Sequence, residues 1–161
     1  MAKKENKTNA MRILESMKIE FETVTYECDE FIDALHIADQ LGMEYEVVYK
    51  TLVTVGKSKE HYVFVIPIAE EIDLKKAARV VGEKSMEMLP LKELTALTGY
   101  VRGGCTSIGM KKKFKTVIQE DAELLDVIMV SGGKIGIQLK LQPEDLKRAA
   151  DAEFADVIVD K

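Results

Sequence analysis

The chain has only two cysteines, Cys28 and Cys105, set far apart in its 161 residues. With no CxxC spacing there is no support for a thiolate metal site or a dithiol redox motif, and both thiols are read as reduced. No apolar run approaches the roughly 18 residues that a membrane helix needs. The opening MAKKENKTNA has no apolar signal core, so a cytoplasmic protein without membrane contact is expected. Familiar enzyme signatures are missing too: no GxSxG elbow, no GxxxxGKS/T phosphate loop, no HExxH and no GxGxxG after a strand. The two histidines, His36 and His61, sit in no Ser-His or Cys-His pattern, which argues against a serine triad or a zinc hydrolase. Repeats, low-complexity tracts and linkers are also absent.

What is present is ordinary for a globular chain, with 47% hydrophobic and 32% charged residues. The length suits one domain, residues 1–161, able to bury a core without disulfides or metal. A net charge of -5 argues against a DNA-coating protein. The charge is uneven, however. Gly99 to Lys115, GYVRGGCTSIGMKKKFK, packs four glycines and five cationic side chains with no carboxylate. The lysine run by itself reads first as a solvated face, while a basic strip on an acidic body also suits an enzyme that touches an RNA end.

Local signals alternate helix and strand. Thr8 caps a helix that ends near Lys18, and Phe21 to Tyr26 reads as a strand. Asp29 to Leu41 carries an apolar stripe stopped by Gly42. VVYKTLVTVGKSKEHYVFVIPI reads as a hairpin turning at Gly56 to Glu60. Asp73 caps a helix stopped by Gly82, SMEML is strand-like, and Pro90 opens a helix closed by Gly99. FKTVIQE reads as a strand and DAELL as a turn or short helix. Val127 to Ser131 and Ile135 to Leu141 are strands around SGGKIG, PEDLKRAA is a helix, and FADVIVDK is a final strand or helical turn. The pattern predicts an α/β domain of α+β type, with a mixed, curved sheet flanked by helices.

Two features carry chemistry. Lys50 shares a strand face with Val48 and Leu52. A lysine there either snorkels or points into a site, where desolvation strengthens its charge toward an ester carbonyl or phosphate. The turns GYVRGG and SGGKIG, each beside a strand, either present backbone N–H groups to a developing oxyanion or are plain tight turns.

YKTL at Tyr49 to Leu52, DLKKAA at Asp73 to Ala78, TGYVRGG at Thr98 to Gly104, VSGGKIG at Val130 to Gly136 and the terminal DL and FAD elements resemble the YbaK/EbsC family, in the same order from about Thr8 onward. That family comprises Cys-tRNA(Pro) deacylases and related editing domains. The resemblance implies a free-standing trans-editing enzyme with the mixed α/β fold of the insertion editing domain of bacterial prolyl-tRNA synthetases. It would hydrolyse cysteine from tRNA for proline and form a transient complex with prolyl-tRNA synthetase, using no cofactor and no metal. The implied catalytic group is Lys50, Tyr26, Gly103, Gly104 and Ser131. Thr51, Thr106, Ser107, Gln138, Lys111 and Lys112 are the implied substrate contacts. The implied chemistry is attack by the substrate's own thiol, releasing a cyclic thiolactone, which fits the missing triad.

The chain departs from the family where Thr106 and Ser107 replace a usual Ser-Pro, and where Ile135 and Gln138 replace the Arg and Asp of some members. These differences bear on amino-acid specificity more than on reaction class. An editor of alanyl or seryl esters, or a non-catalytic module binding aminoacyl-tRNA or a synthetase, are the alternatives. Cys105 has no histidine nearby in sequence and is assigned no catalytic role.

Overall fold

The structure, a computed structural model, describes residues 7–26 and 34–160. Helix α1 (Asn9–Ser16) starts where the Thr8 hydroxyl receives the Met11 N–H at 3.2 Å, and buries Ala10, Met11 and Leu14. Strand β1 (Glu22–Thr25) follows, then α2 (Ala34–Leu41), which ends at Gly42 with φ +68°. The opening of the helix expected from Asp29, and Cys28, lie outside the described residues. Strands β2 (Tyr49–Gly56) and β3 (His61–Pro67) form the expected hairpin.

Helix α3 (Leu74–Val81) has the expected caps: Asp73 accepts the Lys75 and Lys76 N–H groups, and Gly82 takes φ +81°. An N-cap of this kind is worth about 1 kcal/mol. Then come β4 (Met86–Met88), α4 (Leu94–Thr98) and β5 (Lys115–Gln119). They are followed by β6 (Ile128–Ser131), β7 (Ile137–Leu141), α5 (Pro143–Ala150) and β8 (Ala152–Ala155).

The mixed α/β architecture is present, with the curved sheet split in two. An antiparallel sheet has the order β1-β7-β6; a five-stranded sheet has the order β4-β2-β3-β5-β8, antiparallel over its first three strands and parallel over the last three. A parallel bridge between Val48 and Met129 joins the two. One face of both sheets covers a common core under α1 that includes Leu14, Tyr49, Val65, Ile118, Val130 and Leu139. The opposite face carries α3 over Phe64 and Ile66, and α2 over Val48 and Met129.

Three expected boundaries shift. Strand β7 begins at Ile137 instead of Ile135, because Gly136 has φ +96° and turns the chain first. Strand β1 is shorter than Phe21–Tyr26, although the Tyr26 N–H continues its pairing by donating to the Gly136 carbonyl at 3.0 Å. At the C-terminus, β8 starts at Ala152 and pairs parallel to β5. The chain beyond it crosses residues 71–73 through an Ile72–Ile158 bridge.

Candidate active site

Residues directly opposite in an antiparallel ladder share a face, and alternate residues switch faces. Lys50 lies opposite Ile66, and Leu52 opposite Phe64. Phe64 and Ile66 pack under α3, so Lys50 is on the helix-covered face away from the common core. Thr51, opposite Val65, faces that common core instead and is not on the Lys50 face.

The Val48–Met129 bridge fixes what lies beside Lys50. Continued two residues in parallel register, it puts Lys50 alongside Ser131 at the end of β6. Ser131 is opposite Gln138, which is opposite Val24, two residues before Tyr26. Lys50, Ser131, Gln138 and Tyr26 therefore share one face, at the seam where β2 and β6 part. Crevices between diverging strands are common places for ligands in α/β sheets.

The two glycine turns meet just beyond the end of β6. A Cβ on Gly104 would stand 3.0 Å from Ile135 N and from Lys134 Cα, so the first turn rests directly on the backbone of the second. Only glycine permits that approach. Gly103 takes φ +86°, and the Gly104 N–H donates to the Val101 carbonyl at 2.9 Å. Of the two amides, Gly103's has no hydrogen bond among the described residues, whereas Gly104's is already used within the turn.

Polar groups around the seam divide by their hydrogen bonding. Ser131 Oγ receives the Gly133 N–H at 3.3 Å, which leaves its own proton for another acceptor. The Tyr26 hydroxyl is buried with no partner among the described residues. Leaving such a group unpaired costs roughly 1–3 kcal/mol, which a ligand can recover. Lys50 is half-buried and donates to the Ile68 carbonyl at 3.3 Å. Burial pulls its pKa below the ordinary lysine range, and Glu71 and then Glu70 partly oppose that shift.

Other expected contacts are placed differently. Thr106 is fully buried and accepts the Ile108 N–H at 3.5 Å, so its hydroxyl shapes the turn. The Ser107 hydroxyl is buried without a partner among the described residues. Cys105 points into the core beside Val53, Val63 and Tyr100, and burial pushes its thiol pKa up to about 12. Lys111 and Lys112 are exposed, and Lys111 folds back to donate to the Ala96 carbonyl at 3.3 Å.

Three contributors were not found in the sequence. Tyr100 lies beneath both turns: its hydroxyl donates to the Ile108 carbonyl at 2.6 Å, and its ring would sit 3.2 Å from a Cβ on Gly133. No spacing signal marks it beyond its position after Gly99. Glu70 and Glu71 were legible in principle, because counting outward from the Gly56–Glu60 turn brings the end of β3 opposite Lys50. No described cluster of three or more His, Cys, Asp or Glu residues could hold a metal ion.

The sequence profile of the aminoacyl-tRNA editing domain matches residues 32–149. The chain belongs to the aminoacyl-tRNA editing domain family. Editing removes the aminoacyl group by breaking its ester, so this editing domain is an aminoacyl-tRNA deacylase. A protein of Enterococcus faecalis (strain ATCC 700802 / V583), EbsC, described as a candidate Cys-tRNA(Pro)/Cys-tRNA(Cys) deacylase, is 45% identical over 98% of each chain. Among solved structures, a candidate trans-editing enzyme for prolyl-tRNA synthetase superposes with TM-score 0.82 at 23% identity, covering 97% of this editing domain and 100% of that chain. A hypothetical protein superposes with TM-score 0.86 at 19% identity, covering 94% and 100%. At these identities the two structures speak for the fold alone. No described helix is long and apolar enough to cross a membrane.

Proposed function

We propose that this editing domain removes cysteine from tRNA for proline, by attack of the substrate's own thiol. The observation that carries the reading is Lys50: a half-buried ammonium at the seam, in register with Ser131 and on one face with Tyr26 and Gln138. The 45% identity to a protein described as a candidate Cys-tRNA(Pro)/Cys-tRNA(Cys) deacylase supports the amino acid and the tRNA.

The thiol gives up its proton and its sulfur bonds to the ester carbonyl carbon. The C–O bond to the terminal ribose breaks, and the ribose oxygen leaves and takes a proton. The cyclic thiolactone then adds water to give free cysteine. An aminoacyl ester is already activated, so holding its own nucleophile at attack distance supplies much of the catalysis. Lys50 orients the ester or the 3′-terminal adenosine and offsets negative charge, with the Gly103 N–H as donor to the carbonyl oxygen and Gly104 giving the close approach. Ser131 and the Tyr26 hydroxyl bond the aminoacyl end, and Gln138 lines the same face. The enzyme works in the cytoplasm on product released by prolyl-tRNA synthetase, in transient complex with it.

Purified protein given Cys-tRNA(Pro), Cys-tRNA(Cys) and Ala-tRNA(Pro) should deacylate the cysteinyl esters and leave the alanyl ester at the buffer rate, with thiolactone trapped before free cysteine. Ester loss no faster than buffer on all three, beside a working control deacylase, would sink the reading. Equal rates on alanyl and cysteinyl esters would remove the thiol route.

A further inference from the structure

A second polar cluster lies at the C-terminal end of the chain. Lys76 Nζ donates to Asp156 Oδ2 at 2.9 Å, to the Ile158 carbonyl at 2.9 Å and to Asp160 Oδ1 at 2.7 Å. An ammonium has three protons, and all are used. Gln119, almost fully buried, donates to Asp156 Oδ1 at 3.1 Å and receives the Val157 N–H at 2.7 Å. The bonds to Asp160 and Asp156 hold Lys76 above the ordinary lysine range, and Lys76 in turn holds Asp156 below the usual carboxylate range.

What this cluster ties down is the chain that crosses residues 71–73. The Asp73 N–H donates to the Val157 carbonyl at 2.8 Å, the Val159 N–H to the Glu71 carbonyl at 2.9 Å, and Ile72 bridges Ile158. At its other end the same loop is tied by the Ile68 N–H, which donates to the Val48 carbonyl at 3.0 Å. Between those two ties lie the Ile68 carbonyl that receives Lys50, and Glu70 and Glu71.

We propose that Lys76 is a positioning residue for Lys50: by tying down the C-terminal strap it fixes the loop from Ile68 to Asp73, whose Ile68 carbonyl and two glutamates keep the Lys50 ammonium over the seam. A half-buried lysine with one long hydrogen bond otherwise swings its head group to water. The inference rests on reading Lys50 as the group that acts on the ester. Among the described residues the charges acting on Lys50 are Glu71 and Glu70. Strands β6 and β7 bring uncharged Ser131 and Gln138. On α2, His36 and Asp39 are exposed, and Asp39 receives the Tyr45 hydroxyl at 2.6 Å.

The test compares the whole chain with Lys76→Met, Lys76→Arg and Asp160→Asn. It measures deacylation of Cys-tRNA(Pro), Tm, and the titration of Lys50 followed by NMR of labelled lysine without substrate. For Lys76→Met we expect kcat to fall about ten-fold with KM held within about two-fold. The Lys50 titration should move back up toward the ordinary lysine range, because desolvation is the larger influence and is lost as the head group swings to water. Lys76→Arg should restore most of both, and Asp160→Asn, which alters an exposed carboxylate, should show a smaller change of the same sign. A Tm loss with kcat and the Lys50 titration unchanged in Lys76→Met and Asp160→Asn would overturn the proposal. If wild type itself fails to deacylate, the functional reading fails, while the titration still judges the positioning.

Discussion

Lys50 and the lysines at 111–115 are the same chemical group in opposite circumstances. Lys50 is half-buried, bonded to a carbonyl and lowered in pKa by desolvation. The run is exposed: Lys111 reaches the Ala96 carbonyl, Lys113 pairs with Asp151 at 2.6 Å, and Lys115 with Glu153 at 3.6 Å. Exposed pairs of this kind are worth about 0–1 kcal/mol. Charge density along the sequence drew attention to residues 99–115, yet a charge gains chemical leverage where water is excluded, as at Lys50 outside the window.

The strongest way to break the comparison is Lys50→Met. Deacylation of Cys-tRNA(Pro) should fall by about 10²-fold or more, as loss of an electrostatic group in a water-poor site does. Tm should hold or rise, because a partly desolvated cation has been removed. An unchanged rate would make Lys50 no different from the exposed run. Next is Gly104→Ala, whose Cβ would meet Ile135 N and Lys134 Cα at 3.0 Å and push the two turns apart. A displacement of this size should cost about ten-fold or more in kcat/KM.

Dependence on pH sharpens the contrast through Lys50 alone. Its folded pKa lies below the ordinary value of 10.5. Between those two values the unfolded chain binds more protons, so the stability cost of burying the cation is full below the folded pKa and is relieved as pH rises toward 10.5. The Tm gap between wild type and Lys50→Met should therefore narrow with rising pH. Activity runs the other way, falling as the cation is lost, once background ester hydrolysis is subtracted. A gap that stays constant with pH would refute the assignment.

Smaller effects belong to the exposed run. Lys112→Ala with Lys113→Ala should weaken tRNA binding a few-fold at low salt and flatten its salt dependence, leaving kcat intact. A fall in kcat would move these lysines into the chemistry.

Local signals were legible wherever one residue decides the backbone. Asp73 and Gly82 bounded α3, Thr8 started α1, and the Gly56–Glu60 turn set the β2–β3 register. The face of Lys50 followed from period two alone, whereas Thr51, one residue on, points to the other side by the same rule. The division into two sheets was not legible, because it depends on a bridge between Val48 and Met129, residues about eighty apart with nothing local to mark the pairing. The meeting of the two turns at Gly104 is likewise a tertiary fact, and so is the strap at Asp156–Asp160, read as part of a final strand or helical turn but held by Lys76 and Gln119. The family resemblance, carried by its motifs, was legible throughout.

The Val48–Met129 bridge has one more consequence. Beyond it, no backbone ladder spans the gap from Lys50 to Ser131 among the described residues, so the width of that gap is set by how tightly Tyr49, Val65, Val130 and Leu139 pack beneath it. With the aminoacyl end seated in that gap as proposed, selectivity for the size of an amino acid is adjustable from the interior. Trimming Val130 to alanine would let the lips of the groove settle closer, and enlarging it to isoleucine would wedge them apart, altering which esters fit without touching a residue that meets them.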